Sequence, residues 1–235
     1  PILGFEDALL AGLARDGGLY VPECWPNLSE AMIASFSDKS FAEIAVDVLH
    51  PFMADDVPRD RLSEIVNEAY AGFEHEAVTP LTDLGGGQYF LELYHGPTLA
   101  FKDVAMQLLA RLMDYALVRR GDRATIIGAT SGDTGGAAIE AFRSREAVDV
   151  FILFPDGRVS DVQRKQMTTP QDANVHTLSV DGTFDDCQAL VKGMFNDAPF
   201  RSEMALAGVN SINWARVMAQ ITYYFAAAAH LGAPR

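Results

Sequence analysis

Of the four lysines in this 235-residue chain (Lys39, Lys102, Lys165 and Lys192), Lys102 alone falls in a context that suggests chemistry. The apolar run at 89–94 predicts a buried strand, Gly96-Pro97 a turn, and Thr98 a cap. Val104, Leu108, Leu109, Leu112, Met113 and Leu117 recur at three- and four-residue steps, which predicts a helix from Phe101 onward. Lys102 would then stand in the first turn of a helix, just after a strand. The positive end of the helix dipole disfavours an ammonium there. Burial among Tyr94, Leu99 and Phe101 would disfavour it further. Both effects favour the free amine that Schiff-base chemistry needs. The same residues also fit a solvated lysine whose stem packs on Phe101.

A second candidate is Gly128-Ala129-Thr130-Ser131-Gly132-Asp133-Thr134-Gly135-Gly136. Its glycines let backbone N–H groups face a ligand, and the helix start that follows favours an anion. Ser131 and Thr134 add hydroxyl donors. No lysine follows the last glycine as in a Walker A loop, and the glycine spacing is not that of a dinucleotide fingerprint. Ala129 stands where a nucleophile elbow needs glycine. A tight turn with a Ser or Asp cap is an equal alternative. The third candidate is the segment 208–216, in which Asn210, Ser211 and Asn213 precede a helix with Arg216 in its first turn. An arginine there opposes the dipole unless an anion or carboxylate sits nearby. A substrate anion or pairing of the Asp181 kind would supply one, the second being slightly preferred. Arg158, Arg164 and Lys165 read as a solvated cationic group, and His95 as a loop-packing residue.

The elements that must position these residues follow from pattern. Residues 1–79 read as helical, with Phe5, Ala8, Leu9 and Leu13 on one face and Asp16-Gly17-Gly18 ending that helix. Amphipathic helices are expected at 41–48 and 62–73, with Ser40 and Asp60 as N-caps. The Gly-rich joint at 79–87 is the expected domain boundary. Beyond it, strands at 125–129, 148–154 and 175–180 alternate with helices at 134–142, 160–167, 184–195 and 213–231. Such alternation implies a mostly parallel sheet with helices on both faces, and ligands where strands end and helices begin. A hydrophobic share of 49% excludes disorder, and no apolar run reaches the length of a membrane span. The net charge of −14, without a cationic cluster, argues against nucleic acid. Cys24, Cys187 and the five histidines match no metal spacing, so no metal site is expected and two reduced thiols suit a cytoplasmic protein. A start without Met and a stop directly after a helix suggest part of a longer protein.

Taken together, these segments resemble the threonine synthase family of fold-type II pyridoxal-phosphate enzymes. Gly96-Pro97-Thr98-Leu99-Ala100-Phe101-Lys102-Asp103 is similar to that family's lysine attachment motif, and the segment 129–135 to its following loop. Asp16-Gly17-Gly18-Leu19-Tyr20-Val21-Pro22-Glu23 resembles its N-terminal domain, and Asn210-Ser211-Ile212-Asn213-Trp214-Ala215-Arg216 the start of its late helix. The resemblance implies an α/β chain: a helical N-terminal domain at 1–79, then an incomplete pyridoxal-phosphate enzyme domain at 80–235. It implies conversion of O-phospho-L-homoserine and water to L-threonine and phosphate, the last step of threonine biosynthesis. Lys102 would be the Schiff-base lysine and proton shuttle, with Asp133 and Phe101 beside the cofactor. Ser131, Gly132 and Thr134 would hold the substrate carboxylate, and Asn213, Arg216 and Lys165 are candidates for its phosphate. Asp133 stands where related dehydratases carry Asn, and an acid donates a hydrogen bond only when protonated, so its role stays open. The family's cofactor-phosphate loop and ring-nitrogen partner belong to a C-terminal half beyond these residues. Weak or absent cofactor binding and no activity of the 235 residues alone, and self-association through the truncated sheet, are therefore expected. A serine/threonine dehydratase-like lyase and a non-catalytic anion-binding module are the alternatives.

Overall fold

The computed structural model describes residues 2–12, 14, 16, 18–53, 56–208 and 213–233. Leu13, Gly17, Asn210 and Ser211, named above, lie outside the described residues. The N-terminal region is helical: α1 (Phe5–Ala11), α2 (Glu30–Ala34), α3 (Phe41–Leu49) and α4 (Arg59–Tyr70), with 3-10 turns at Ser35–Asp38 and His50–Phe52. Ser40 caps α3 in a full capping box with Glu43, which satisfies two N–H groups that the first turn leaves without partners. Two expectations shift. α1 ends on Gly12, whose φ of 62° stops it before the Asp16 turn. α4 starts under Pro58, so Asp60 lies in its first turn and is not the cap.

Leu81–Gly85 (β1) and Gln88–Leu91 (β2) form an antiparallel hairpin. The expected buried strand at 89–94 is thus a short exposed one, with Tyr89 and Phe90 43% and 55% exposed. Gly85, Gly86 and Gly87 all take positive φ, so the supposed joint is a hairpin turn between two strands. Lys102 is separated from β2 by a ten-residue loop and does not follow a strand directly.

That loop leads into α5 (Lys102–Arg120), the axis of the molecule. Residues 103–110 are all buried, and a helix with no solvent face over such a stretch must be wrapped by others. α1, α4, α6 (Asp133–Phe142) and α10 (Trp214–Ala219) all pack on it. Its apolar residues join those of the N-terminal helices and the sheet in one continuous core.

Four parallel strands follow in the order β5-β4-β3-β6: Val175–Val180, Val148–Pro155, Ala124–Ala129 and Leu206–Gly208. Ile126, Val150 and Ile152 face the main core, while Ile127 and Leu153 meet Cys187 of α8 (Phe184–Asn196) on the other face. This is the two-residue alternation of a strand covered on both sides. α7 (Asp161–Thr168) packs beside α6, and α9 (Ala198–Glu203) precedes β6. The helix expected over 213–231 breaks at Gln220 into α10 and α11 (Ile221–His230). No helix among the described residues is long and apolar enough to cross a membrane.

Candidate active site

Lys102 owes its position to its neighbour. The buried Asp103 carboxylate accepts the Thr98 N–H at 2.8 Å and the Thr98 hydroxyl at 2.6 Å, folding the loop back onto the helix start. Gly96 lies so close beneath that an added Cβ would come within 2.4 Å of Asp103 Cβ. Thr98 therefore does not cap α5; Phe101 holds the cap position without a side-chain bond. Burial raises the Asp103 carboxyl above its ordinary value, partly offset by the two Thr98 hydrogen bonds.

The Lys102 side chain is 17% exposed, and its Nζ lies 3.7 Å from Asp133 Oδ2. The Phe101 ring centroid is 4.7 Å from Nζ. The expected enclosure by apolar side chains is not found, because Tyr94, Leu99 and Phe101 are themselves about half exposed. They sit on the exposed loop that leads into α5.

The turn from β3 to α6 brings its residues to that amine. Thr130, 2% exposed, accepts the N–H groups of Gly132 and Gly135 on its Oγ1 at 3.0 and 2.9 Å. Gly132 has φ 147°, a conformation that a side chain would resist. The N–H groups of Ser131, Asp133 and Thr134 have no acceptor among the described residues, and neither the Ser131 nor the Thr134 hydroxyl makes a hydrogen bond there. Free N–H groups at a helix start, with two free hydroxyls, form a carboxylate-sized cradle. Gly132 contributes its bend, its own N–H being taken by Thr130.

β6 runs beside β3 in parallel, and α10 comes after it in sequence, packed on α5 and α1. Asn213 caps α10, accepting the Ala215 N–H at 2.9 Å, and donates to the Leu9 carbonyl at 3.0 Å. Its amide thus fastens α10 to α1. Arg216 is 7% exposed, and its Nε has no partner. Burial pulls its guanidinium below its ordinary value. The preferred Asp181-type pairing is not found: no carboxylate pairs with Arg216 among the described residues, since α10 turns inward onto α5 while Asp181 is exposed beyond β5. Arg158, Arg164 and Lys165 are exposed, and Lys165 does not reach the lysine cluster. His95 bonds Glu92 at 2.7 Å and lies against Tyr94 and His75, a packing residue of the loop. Thr130, Asp103 and Gln163, which donates to Asp133 Oδ1 at 2.5 Å, were not legible as site residues from sequence.

Pyridoxal phosphate fits what is present. Its aldehyde needs a primary amine not locked into a tight ion pair, and 3.7 Å from Asp133 is a loose one. A family described as threonine synthase N terminus matches residues 1–70, and one described as pyridoxal-phosphate dependent enzyme matches 73–234. Threonine synthase of Pseudomonas aeruginosa is 54% identical, over 100% of this chain and 50% of its own length. That of Schizosaccharomyces pombe is 49% identical, over 94% of this chain and 45% of its own. Among solved structures, pyridoxal-phosphate-bound threonine synthase from Brucella melitensis superposes with a TM-score of 0.97 at 61% identity, covering 100% of this chain and 50% of that one. Yeast threonine synthase gives a TM-score of 0.89 at 44% identity, over 95% and 46%. The chain spans about half the length of the curated relatives it matches. These matches favour threonine synthase over the dehydratase-like and anion-module alternatives.

Proposed function

The chain belongs to the pyridoxal-phosphate dependent enzyme family, and from that premise we propose that it forms the lysine-bearing half of a threonine synthase. The reaction is conversion of O-phospho-L-homoserine and water to L-threonine and phosphate. The observation that carries this reading is the Lys102 amine, 3.7 Å from Asp133 at the mouth of a turn with three N–H groups that have no acceptor among the described residues. Lys102, Phe101 and Asp133 would hold pyridoxal phosphate. When bound, the cofactor would withdraw electrons from the substrate Cα and so labilise its proton and those of Cβ.

The chain's own residues supply the rest. The Ser131, Asp133 and Thr134 N–H groups, with the Ser131 and Thr134 hydroxyls, grip the substrate carboxylate. That grip aims Cα and Cβ at Lys102, whose freed amine takes a proton from one and returns it at another. Arg216, buried and without a carboxylate among the described residues, receives the substrate phosphate, and Asn213 fixes the helix that presents it. Residues 1–79 act as a brace around α5 and residues 80–235 as the chemical domain. Two free thiols suit a cytoplasmic enzyme. Self-association of the 235-residue chain would use the outer strand of the sheet, where Leu178 is 48% exposed.

Borohydride reduction of the cofactor-loaded protein, followed by peptide mass analysis, tests the site. A pyridoxyl adduct on Lys102 is expected; one on Lys39, Lys165 or Lys192 instead would overturn the assignment. Phosphate release from O-phospho-L-homoserine tests the substrate, whereas formation of 2-oxobutanoate from threonine would favour a dehydratase.

A further inference from the structure

A chain of side chains reaches Lys102 from α7, through the contact of Gln163 with Asp133. Ser160 caps α7 and its hydroxyl donates to Gln163 Oε1 at 2.9 Å, while its Oγ accepts the Gln163 N–H at 3.3 Å. This fixes which end of the Gln163 amide faces outward. The amide Nε2–H then donates to Asp133 Oδ1 at 2.5 Å, and Asp133 Oδ2 faces Lys102 Nζ at 3.7 Å. Glycine at 132 leaves room for the amide as it lies: a Cβ there would be 2.3 Å from Gln163 Oε1 and would push the amide aside. The Asp133 side chain is 51% exposed, so without this hold it would swing into water.

We infer that Gln163 is a positioning residue for the reactive lysine. It acts through Asp133, and Ser160 sets the orientation of its amide. The inference deepens the lysine assignment proposed above and rests on it. A neutral amide suits the task. It occupies one carboxylate oxygen, leaves the other for the lysine, and adds no charge that would compete for the ammonium. A lysine or arginine at 163 would take the carboxylate away. A carboxylate there would repel it. α7 also touches the other side of the site, since Gln166 donates to the Thr98 carbonyl at 3.3 Å.

The test measures the amine without cofactor. Competitive acylation at fixed pH, with peptide mass analysis, gives the labelling rate of each lysine in the folded chain. Gln163→Met keeps the length of the side chain but cannot donate to Asp133. With Asp133 released, the Lys102 amine loses the contact that holds it at the mouth of the turn and is freer to meet the reagent. Lys102 labelling is therefore expected to rise about two- to five-fold, the range of a partly exposed ion pair, with Lys39, Lys165 and Lys192 unchanged. Asp133→Asn should give the same rise, and adding Gln163→Met to it should give no more. Ser160→Ala, which leaves the amide present but free to flip, should give a smaller rise in the same direction. Unchanged Lys102 labelling in a folded Gln163→Met chain would overturn the inference. So would an undiminished rise in the Asp133→Asn background, which would mean that Gln163 acts by packing alone. Failure of the functional reading is seen separately, as absence of the Lys102 adduct after reduction.

Discussion

Arg216 faces two opposite demands. A guanidinium taken out of water without a carboxylate costs the folded state, and this one is 7% exposed with Nε unpartnered. If the side chain is there for a substrate phosphate, function should keep it against stability. Arg216→Met removes the charge and retains the stem. Urea denaturation is expected to show unchanged stability or a gain of about 1 kcal/mol. In the same variant, KM for O-phospho-L-homoserine should rise about tenfold or more, because a hydrogen bond to a charged group contributes roughly 1.5–3 kcal/mol. A loss of stability with unchanged KM would make Arg216 a structural residue. Lys102→Ala has the simpler expectation: no pyridoxyl adduct on residue 102 and a fall in turnover of about 10³-fold or more, since acid–base transfer alone contributes 10²–10⁴.

Among the elements, the loop before α5 depends on one carboxyl. Burial raises Asp103 above its ordinary value of 3.8, with the Thr98 bonds opposing. A raised carboxyl contributes stability in full while protonated, and that contribution is lost as pH rises through the folded value. Asp103→Asn keeps the shape without the charge. Thermal melts should place it at or above the parent near pH 7, with the difference closing as pH falls toward 3.8. Asp103→Ala should cost about 2 kcal/mol at low pH, because the Thr98 N–H and hydroxyl both lose their acceptor, and less as pH rises. Sequence made some of these elements plain. Ser40 and Glu43 stand three apart and announce their capping box locally, and the spacing from Val104 to Leu117 places α5. Tyr89 and Phe90 misled because apolar type does not tell a buried strand from a hairpin that lies open. The break at Gln220 is tertiary: α10 packs on α5 and α11 on α3, and a helix-forming residue bridges the change of direction. Lys102 and the Ser131 turn could be named from their types. Their supports could not, since Gln163 reaches Asp133 across thirty residues and Thr130 shows no periodic signal.

For the molecule as a whole, α5 joins chemistry to anchorage. It runs about 28 Å, with Lys102 at one end and Arg119 and Arg120 at the other. Those arginines hold Glu6 of α1, whose Oε2 accepts from Arg119 at 2.6 Å and from Arg120 at 3.1 and 3.2 Å. Glu6 is 1% exposed and its Oε1 has no partner, whereas the Arg119 and Arg120 side chains are 49% and 33% exposed. The cost of breaking this tie must therefore depend on which side is removed. Glu6→Gln leaves two arginines that reach water, and Arg120 keeps Asp7 at 2.8 Å. Arg119→Ala with Arg120→Ala leaves a carboxylate buried and uncompensated. Urea denaturation should show the double arginine variant losing several times as much stability as Glu6→Gln. Acylation of Lys102 in the still-folded fraction should match the parent in both, because the site's supports lie on α7 and the Thr98 loop, at the far end of α5. Equal losses from the two sides would mean that water reaches Glu6 and that its carboxylate is not left uncompensated.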